Sequence, residues 1–456
     1  MSDDPLKRVL DERRERHTED LFDLLRIPSI STDPARRADV RRAADALVAE
    51  LADAGFEAAT EETGGHPVVL ARRQVGDGRP RVLIYGHYDV QPADPLELWD
   101  SDPFEPEVRD GAIVARGASD DKGQVYAHVK GALALLEAYG ELPVDLTFLI
   151  EGEEEIGSPH LAPWVERERE RLEADVVLVS DGAMLPDRVP TITYGLKGMT
   201  YLEVRVRTSD HDLHSGAFGG GVPNAAASLA TMLAGLKDAD GRIAVPGFYD
   251  EVAEITEEER AQLARVPFDP EAWAASAGVH ATPGEPGRSL LERLWTRPTL
   301  DVNGIGGGFQ GDGSKTVIPA TAFAKVSCRL VPNQDPLRIA ELVERHLRDL
   351  APAGTEVEVV HLNHGDWALS PLDGRGVRAA AEAIRRVDGR DPVFVRTGGS
   401  IPIVADLQRL LEVEVVLLDM GLETDRIHSP NERFDLELYH RGIQVSAETL
   451  RALARG

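Results

Sequence analysis

Read for its alternation of apolar and polar positions, the chain changes period along its length. The first segments predict helices. Residues 8–25 are charged with interspersed Leu and Val, and within 35–54 Val40, Ala43, Leu47 and Leu51 share one face. Short β-branched runs bounded by Gly and Pro follow, P-V-V-L-A at 67–71 and V-L-I-Y at 82–85, and these predict strands. From Gly123 a helical stripe of Val125, Val129, Leu133 and Leu136 appears. Then come a strand at 146–150, a helix near 160–172 and a strand at 176–179. Strand and helix in alternation imply an α/β fold, a mostly parallel sheet with helices on both faces.

Around Gly195 the pattern shifts. Y-L-E-V-R-V-R (201–207) and A-F-A-K-V-S-C-R-L (322–330) alternate with period two, and apolar helices follow Pro223 and Pro336. That combination reads as an antiparallel sheet with helices on one face. From Leu372 the first pattern returns, with V-V-L-L at 415–418 and a last helix to Arg455. The expected organisation is one α/β domain (1–195 and 365–456) interrupted by an inserted α+β lid or dimerisation domain (196–364). Residues 247–300, rich in Glu, Pro and Ala, read as irregular helices within the insertion.

Composition narrows the function classes. Acidic side chains outnumber basic ones 79 to 50 in 456 residues, a net charge of -29, which argues against nucleic acid or an anionic membrane as a partner. No apolar run reaches the roughly 18 residues that a membrane span requires. The start, M-S-D-D-P-L-K-R, lacks the apolar stretch of a signal peptide, so a cytoplasmic location is expected. A single cysteine, Cys328, rules out an intrachain disulfide and a thiolate-rich zinc site. A metal here has to be held by His, Asp and Glu.

Such residues gather where an open α/β sheet binds ligands, at the carboxyl ends of its parallel strands. Strand 82–85 runs into G-H-Y-D-V-Q-P (86–92), strand 146–150 into E-G-E-E-E-I-G-S (151–158), and strand 176–179 into S-D-G (180–182). Strand 415–418 leads to G-L-E-T-D-R-I-H-S-P-N-E (421–432), and A-R-G-A-S-D-D-K-G (115–123) precedes a helix. Singly, each has a dull reading: a strand-end His is commonly a surface residue, and D-D-K or E-E-E a solvated charge or a helix cap. Together they put two histidines and several carboxylates on one edge, which is costly unless cations neutralise it. In His87-Tyr88-Asp89 the carboxylate stands ready to fix the second ring nitrogen of a ligating imidazole. Among Glu153, Glu154 and Glu155 not all can ligate, and a free neighbour beside a ligand is the division a hydrolase needs.

These motifs, in this order, resemble the co-catalytic di-zinc metallopeptidase family of carnosinase, cytosolic non-specific dipeptidase, carboxypeptidase G, aminoacylase and succinyl-diaminopimelate desuccinylase. The dipeptidase branch is most similar, with G-H-Y-D-V-Q-P, S-D-D-K-G, H-S-G-A-F-G-G, K-T-V-I-P, R-L-V-P-N-Q, G-G-S-I-P and H-S-P-N-E covering nearly the whole chain. The resemblance implies two divalent cations per subunit, zinc first, with manganese and cobalt as alternatives. It implies that His87 and Asp181 bind one metal, Glu155 and His428 the other, that the carboxylate of Asp120 bridges the two, and that the Asp120–Asp121 peptide is cis. Glu154 is then the general base and Asp89 orients His87. His214 acts in the site of the neighbouring subunit of a homodimer, and Thr316, Arg329 and Ser400 contact substrate, Arg329 through a C-terminal carboxylate. The implied activity is hydrolysis of the amide bond in dipeptides or short peptides by activated water. The alternatives are an N-acyl-amino-acid deacylase or desuccinylase and, in another class, a non-catalytic metal- and peptide-binding relative.

Other motifs are set aside. G-F-Q-G-D-G-S-K-T (308–316) approaches a phosphate-binding loop, but Ser314 interrupts the Gly-Lys step. In G-G-S-I-P, Pro402 replaces the second glycine of a nucleophile elbow.

Overall fold

A computed structural model describes residues 4–76 and 78–456. The chain forms two compact units. The first comprises the chain up to Tyr194, Ser370–Val395 and Asp406–Gly456; the second comprises Gly195–Leu369 and Arg396–Ala405. The return of Arg396–Ala405 to the second unit has no counterpart in the sequence reading, which leaves that stretch in the α/β domain. Backbone and side-chain bonds account for it: Lys197 N donates to Gly399 O at 3.0 Å, and Arg329 Nη1 donates to Ser400 Oγ at 2.8 Å.

The first unit is built on a sheet whose neighbouring strands run Glu57–Glu61, Val68–Arg73, Asp145–Glu151, Arg81–His87, Val176–Val179, Glu414–Leu418 and the first four residues of Thr191–Leu196. The middle four are parallel to one another. Their flanks are antiparallel, as in the closely connected pair Glu57–Glu61 and Val68–Arg73. Along Arg81–His87 every residue from Val82 onward is buried. Val82 and Ile84 face one side while Leu83 and Tyr85, also buried, face the other. A strand apolar on both faces is the mark of a sheet covered on both sides.

Local chemistry sets the helix ends. The first helix, Pro5–Leu25, starts earlier than its apolar stripe suggests, because Asp4 caps it by accepting from Leu6 N at 3.1 Å and Pro5 occupies its first turn. Helix Lys122–Tyr139 ends at Gly140, whose φ of 79° is the left-handed conformation such ends favour. It packs closely on Leu436–Leu453: a Cβ at Gly131 would lie 2.9 Å from Ile443 O.

The second unit holds an antiparallel sheet in the order Thr299–Gly307, Thr321–Leu330, Gly198–Arg207, Glu356–Gly365. Leu202, Val204, Val206, Ala324, Val326 and Cys328 turn one face inward. Leu229 and Met232 of helix Ala225–Ala234 and Ile339, Val343 and Leu347 of Pro336–Leu350 share that core. The region 247–300 contains three short helices, Glu257–Leu263, Pro270–Ser276 and Leu290–Trp295. Two of them begin with reciprocal caps, Thr256 with Glu259 and Ser289 with Glu292.

Candidate metal centre

The parallel strands of the first unit end on a common edge, and each hands over to a loop carrying a polar side chain. His87 is the last residue of its strand and pairs in register with Glu151 of the neighbour. Beyond Glu151 the chain makes a single helical turn, Glu154–Ile156, closed by Gly157 at φ 85°. Asp181 follows Val176–Val179, and His428 stands in the loop after Glu414–Leu418. The segment holding Asp120 enters between strand Ala112–Val114 and helix Lys122–Tyr139, and the Asp120–Asp121 peptide is cis.

Asp120 is the hub. Its Oδ1 lies 3.1 Å from His87 Nε2 and its Oδ2 lies 2.8 Å from His428 Nε2, which is itself 3.3 Å from Glu155 Oε2. Donor atoms of His87, Asp120 and Asp181 all fall within 4.8 Å of one another, and those of Asp120, Glu155 and His428 do the same. Two ligand triads therefore share one carboxylate. The donor set fits divalent cations: imidazole and carboxylate without thiolate, Cys328 being buried in the sheet of the other unit. Glu155 supports this directly, since its Oε1 is buried with no hydrogen-bond partner among the described residues.

The electrostatics point the same way. Burial pushes Asp181 up to about 7 and the charge of Asp120 adds to it. Glu154 is raised to about 8 by burial, and by Asp181, Glu155 and Asp120, against the opposing pull of His87. The imidazoles respond oppositely. Hydrogen bonds to Asp120 and Glu155 raise His428 to about 10. Burial works against a charged His87, but Asp120 and Asp89 hold it well above the ordinary value. Carboxyls driven toward neutrality beside histidines driven toward cations describe a pocket with surplus negative charge, which bound cations would balance.

Asp89 is fully buried and does two jobs. His87 Nδ1 is 3.1 Å from the Asp89 carbonyl oxygen and 3.4 Å from its Oδ1, partners that leave Nε2 for the site. The carboxylate also accepts from Glu154 N at 3.2 Å and Glu155 N at 3.1 Å, so it fixes the turn that carries both glutamates. Gln91 Nε2 donates to Glu155 Oε2 at 2.7 Å. Glu154 belongs to neither triad.

The remaining predicted residues lie in the second unit, as two pairs. His214 pairs with Val317 in a short ribbon, where Ser215 N donates to Thr316 O at 3.1 Å. His214 Nδ1 accepts from Gly216 N at 3.1 Å, and the side chain is exposed. Arg329 and Ser400 form the second pair.

Sequence reasoning missed Lys122 and Glu151. Lys122 is fully buried and donates to Leu24 O at 3.2 Å and Ile27 O at 2.6 Å, and burial brings it down to about 7. Glu151 accepts from Tyr85 Oη at 2.6 Å and Ser158 Oγ at 2.8 Å. Their only signal was position inside motifs already quoted.

Comparison with known proteins follows the same lines. Residues 83–452 match the family model described as Peptidase family M20/M25/M40. The Cys-Gly metallodipeptidase dug1 of Schizosaccharomyces pombe is 34% identical over 474 residues, covering 100% of this chain and 99% of that protein. The Beta-Ala-His dipeptidase of Homo sapiens is 37% identical over 387 residues, covering 84% of this chain and 76% of that protein. Among solved structures, the M20 family metallo-carboxypeptidase Sso-CP2 from Sulfolobus solfataricus superposes with a TM-score of 0.85 at 34% identity, over 96% of this chain and 99% of that one.

Proposed function

We propose that this chain, which belongs to peptidase family M20/M25/M40, hydrolyses the amide bond of dipeptides and short peptides that carry a free C-terminal carboxylate. The observation that carries the reading is Asp120 shared between two ligand triads with Glu154 left outside both. His87, Asp120 and Asp181 would hold one cation and Asp120, Glu155 and His428 the other. Zinc suits imidazole and carboxylate donors, as do manganese and cobalt. Bound there, the cations supply Lewis acidity toward the scissile carbonyl and lower the pKa of the attacking water. Glu154 takes the water's proton and passes it to the leaving amine. Asp89 keeps Glu154 and His87 in position. Arg329, held by Ser400, offers its guanidinium to the substrate carboxylate, and Thr316 contacts the same substrate.

His214 completes the reaction from the other subunit of a homodimer by donating to the carbonyl oxygen as negative charge grows there. Its exposure and its Nδ1 bond to Gly216 support that role, because they leave Nε2 free to donate. His214→Ala and Glu154→Gln are then each inactive alone. When their subunits exchange at equal amounts, about a quarter of wild-type activity returns, because half of the dimers are mixed and each of those holds one intact site. A verified heterodimer without activity refutes the shared site. A cytoplasmic location suits the reading; among the described residues no helix is long and apolar enough to cross a membrane.

The test of the activity is a panel of dipeptides and N-acyl amino acids, assayed on protein as purified, after 1,10-phenanthroline treatment, and after return of Zn²⁺ or Mn²⁺. Dipeptides release free amino acids, chelation stops this, and metal restores it. Reloaded protein that cleaves no dipeptide refutes the proposal, and faster cleavage of acyl amino acids favours the deacylase alternative.

A further inference from the structure

Two separate carboxylates, Glu432 and Asp425, tie the segment bearing Asp120 to the segment bearing His428. Glu432 is wholly buried, and its carboxylate is committed to one stretch of backbone. Oε1 accepts from Ser119 N at 2.9 Å and Asp120 N at 3.0 Å, while Oε2 accepts from Gly117 N at 3.0 Å and Arg116 Nη1 at 2.6 Å. On the other side of His428 stands Asp425, also buried, whose Oδ2 accepts from Ser119 Oγ at 3.0 Å. His428 thus sits on an arch with both feet bonded to residues 116–120. The arch bends through Arg426, His428 and Asn431, all at φ near +60° (58°, 60° and 61°), a conformation uncommon for residues other than glycine. Arg116 extends the tie by donating to Pro92 O at 3.1 Å in the loop beyond His87.

We infer that Glu432 is a positioning residue: by gripping the amides of Gly117, Ser119 and Asp120 it sets the separation of Asp120 from His428, and so the geometry in which the pair holds a divalent cation. Asp425 assists through Ser119. The inference rests on the cation-binding reading above. A buried ion pair is a poor way to gain stability alone, since apolar side chains of similar volume do as well or better. A carboxylate aimed at three amides of one short segment, Gly117, Ser119 and Asp120, does something that apolar packing cannot: it fixes a ligand's backbone. Supports of this kind change metal affinity when they are altered.

The experiment is a Zn²⁺ titration of the chelator-stripped full-length protein against a chromophoric competitor, on wild type, Glu432→Gln, Asp425→Asn and, as a control for lost stability, the core variant Leu21→Ala. Glu432→Gln is expected to weaken Zn²⁺ binding per folded molecule by about 10–100-fold and to alter the visible spectrum of the Co²⁺-loaded protein. Asp425→Asn moves both readouts the same way by less. Leu21→Ala lowers Tm and moves neither. Wild-type Zn²⁺ affinity in folded Glu432→Gln overturns the inference. Where that variant does not fold, Asp425→Asn decides: weakened binding supports the latch and wild-type binding overturns it. A wild type that binds no Zn²⁺ overturns the cation reading and the latch together, whereas normal wild-type binding with unaltered variants overturns the latch alone.

Discussion

Glu154→Gln is expected to retain both metals and to lose about 10²–10⁴-fold in kcat on dipeptides, the range a positioned general base contributes. The amide keeps the shape of the side chain and cannot accept a proton. Among the described residues the candidate ligand triads, His87, Asp120, Asp181 and Asp120, Glu155, His428, do not include this residue. What it shares with them is a clamp, since Asp89 accepts from the backbone N–H of both Glu154 and Glu155. Burial and the surrounding carboxylates raise Glu154 to about 8, and positive charge brought into the site lowers that value toward neutrality, where a proton carrier works best. Metal content by elemental analysis, measured beside steady-state kinetics, separates this effect from loss of ligand. Full turnover in the variant would refute the assignment.

Asp120→Ala has the larger consequence. Both triads lose the carboxylate they have in common, and the two imidazoles lose the partner they both face. The expected result is a fall from two bound cations per chain to at most one, loosely held, with activity below that of Glu154→Gln and not restored by excess Zn²⁺. Asp181→Ala should remove one site and leave Glu155 and His428 able to compete for the other. Two cations retained by Asp120→Ala at wild-type affinity would show that the bridge is not there.

Much of this site is legible in the sequence because an α/β sheet places its ligand-bearing loops by rule: G-H-Y-D, E-E-E-I-G and S-D-G each follow an apolar run, and the strands beneath them are parallel neighbours. Finer points depend on three-dimensional closure. The H-x-D spacing puts Asp89 beside His87, yet it does not reveal that the carbonyl oxygen is the nearer partner or that the carboxylate also grips the next loop. The proposed supporting role of Glu432 is invisible because the amides it meets lie 312 to 315 positions away, and no local pattern marks a charge whose partners are mostly backbone. Lys122 looked like part of a solvated D-D-K until the structure buried it under the end of the first helix. The short helices of 247–300 carry capping signals, T-E-E-E and S-L-L-E, that were there to be read; the lack of an apolar period concealed them.

The arch on Glu432 also bears on how the protein is made. Asp120 and its neighbours leave the ribosome long before the residues that latch them, so for most of translation the hub carboxylate has one imidazole beside it and no second. If the proposed latch sets that geometry, cation capture at the shared position would wait until synthesis has passed Glu432, which accepts from Asp120 N. On the proposed reading, a nascent chain stalled before that point would carry only part of the acidic cluster.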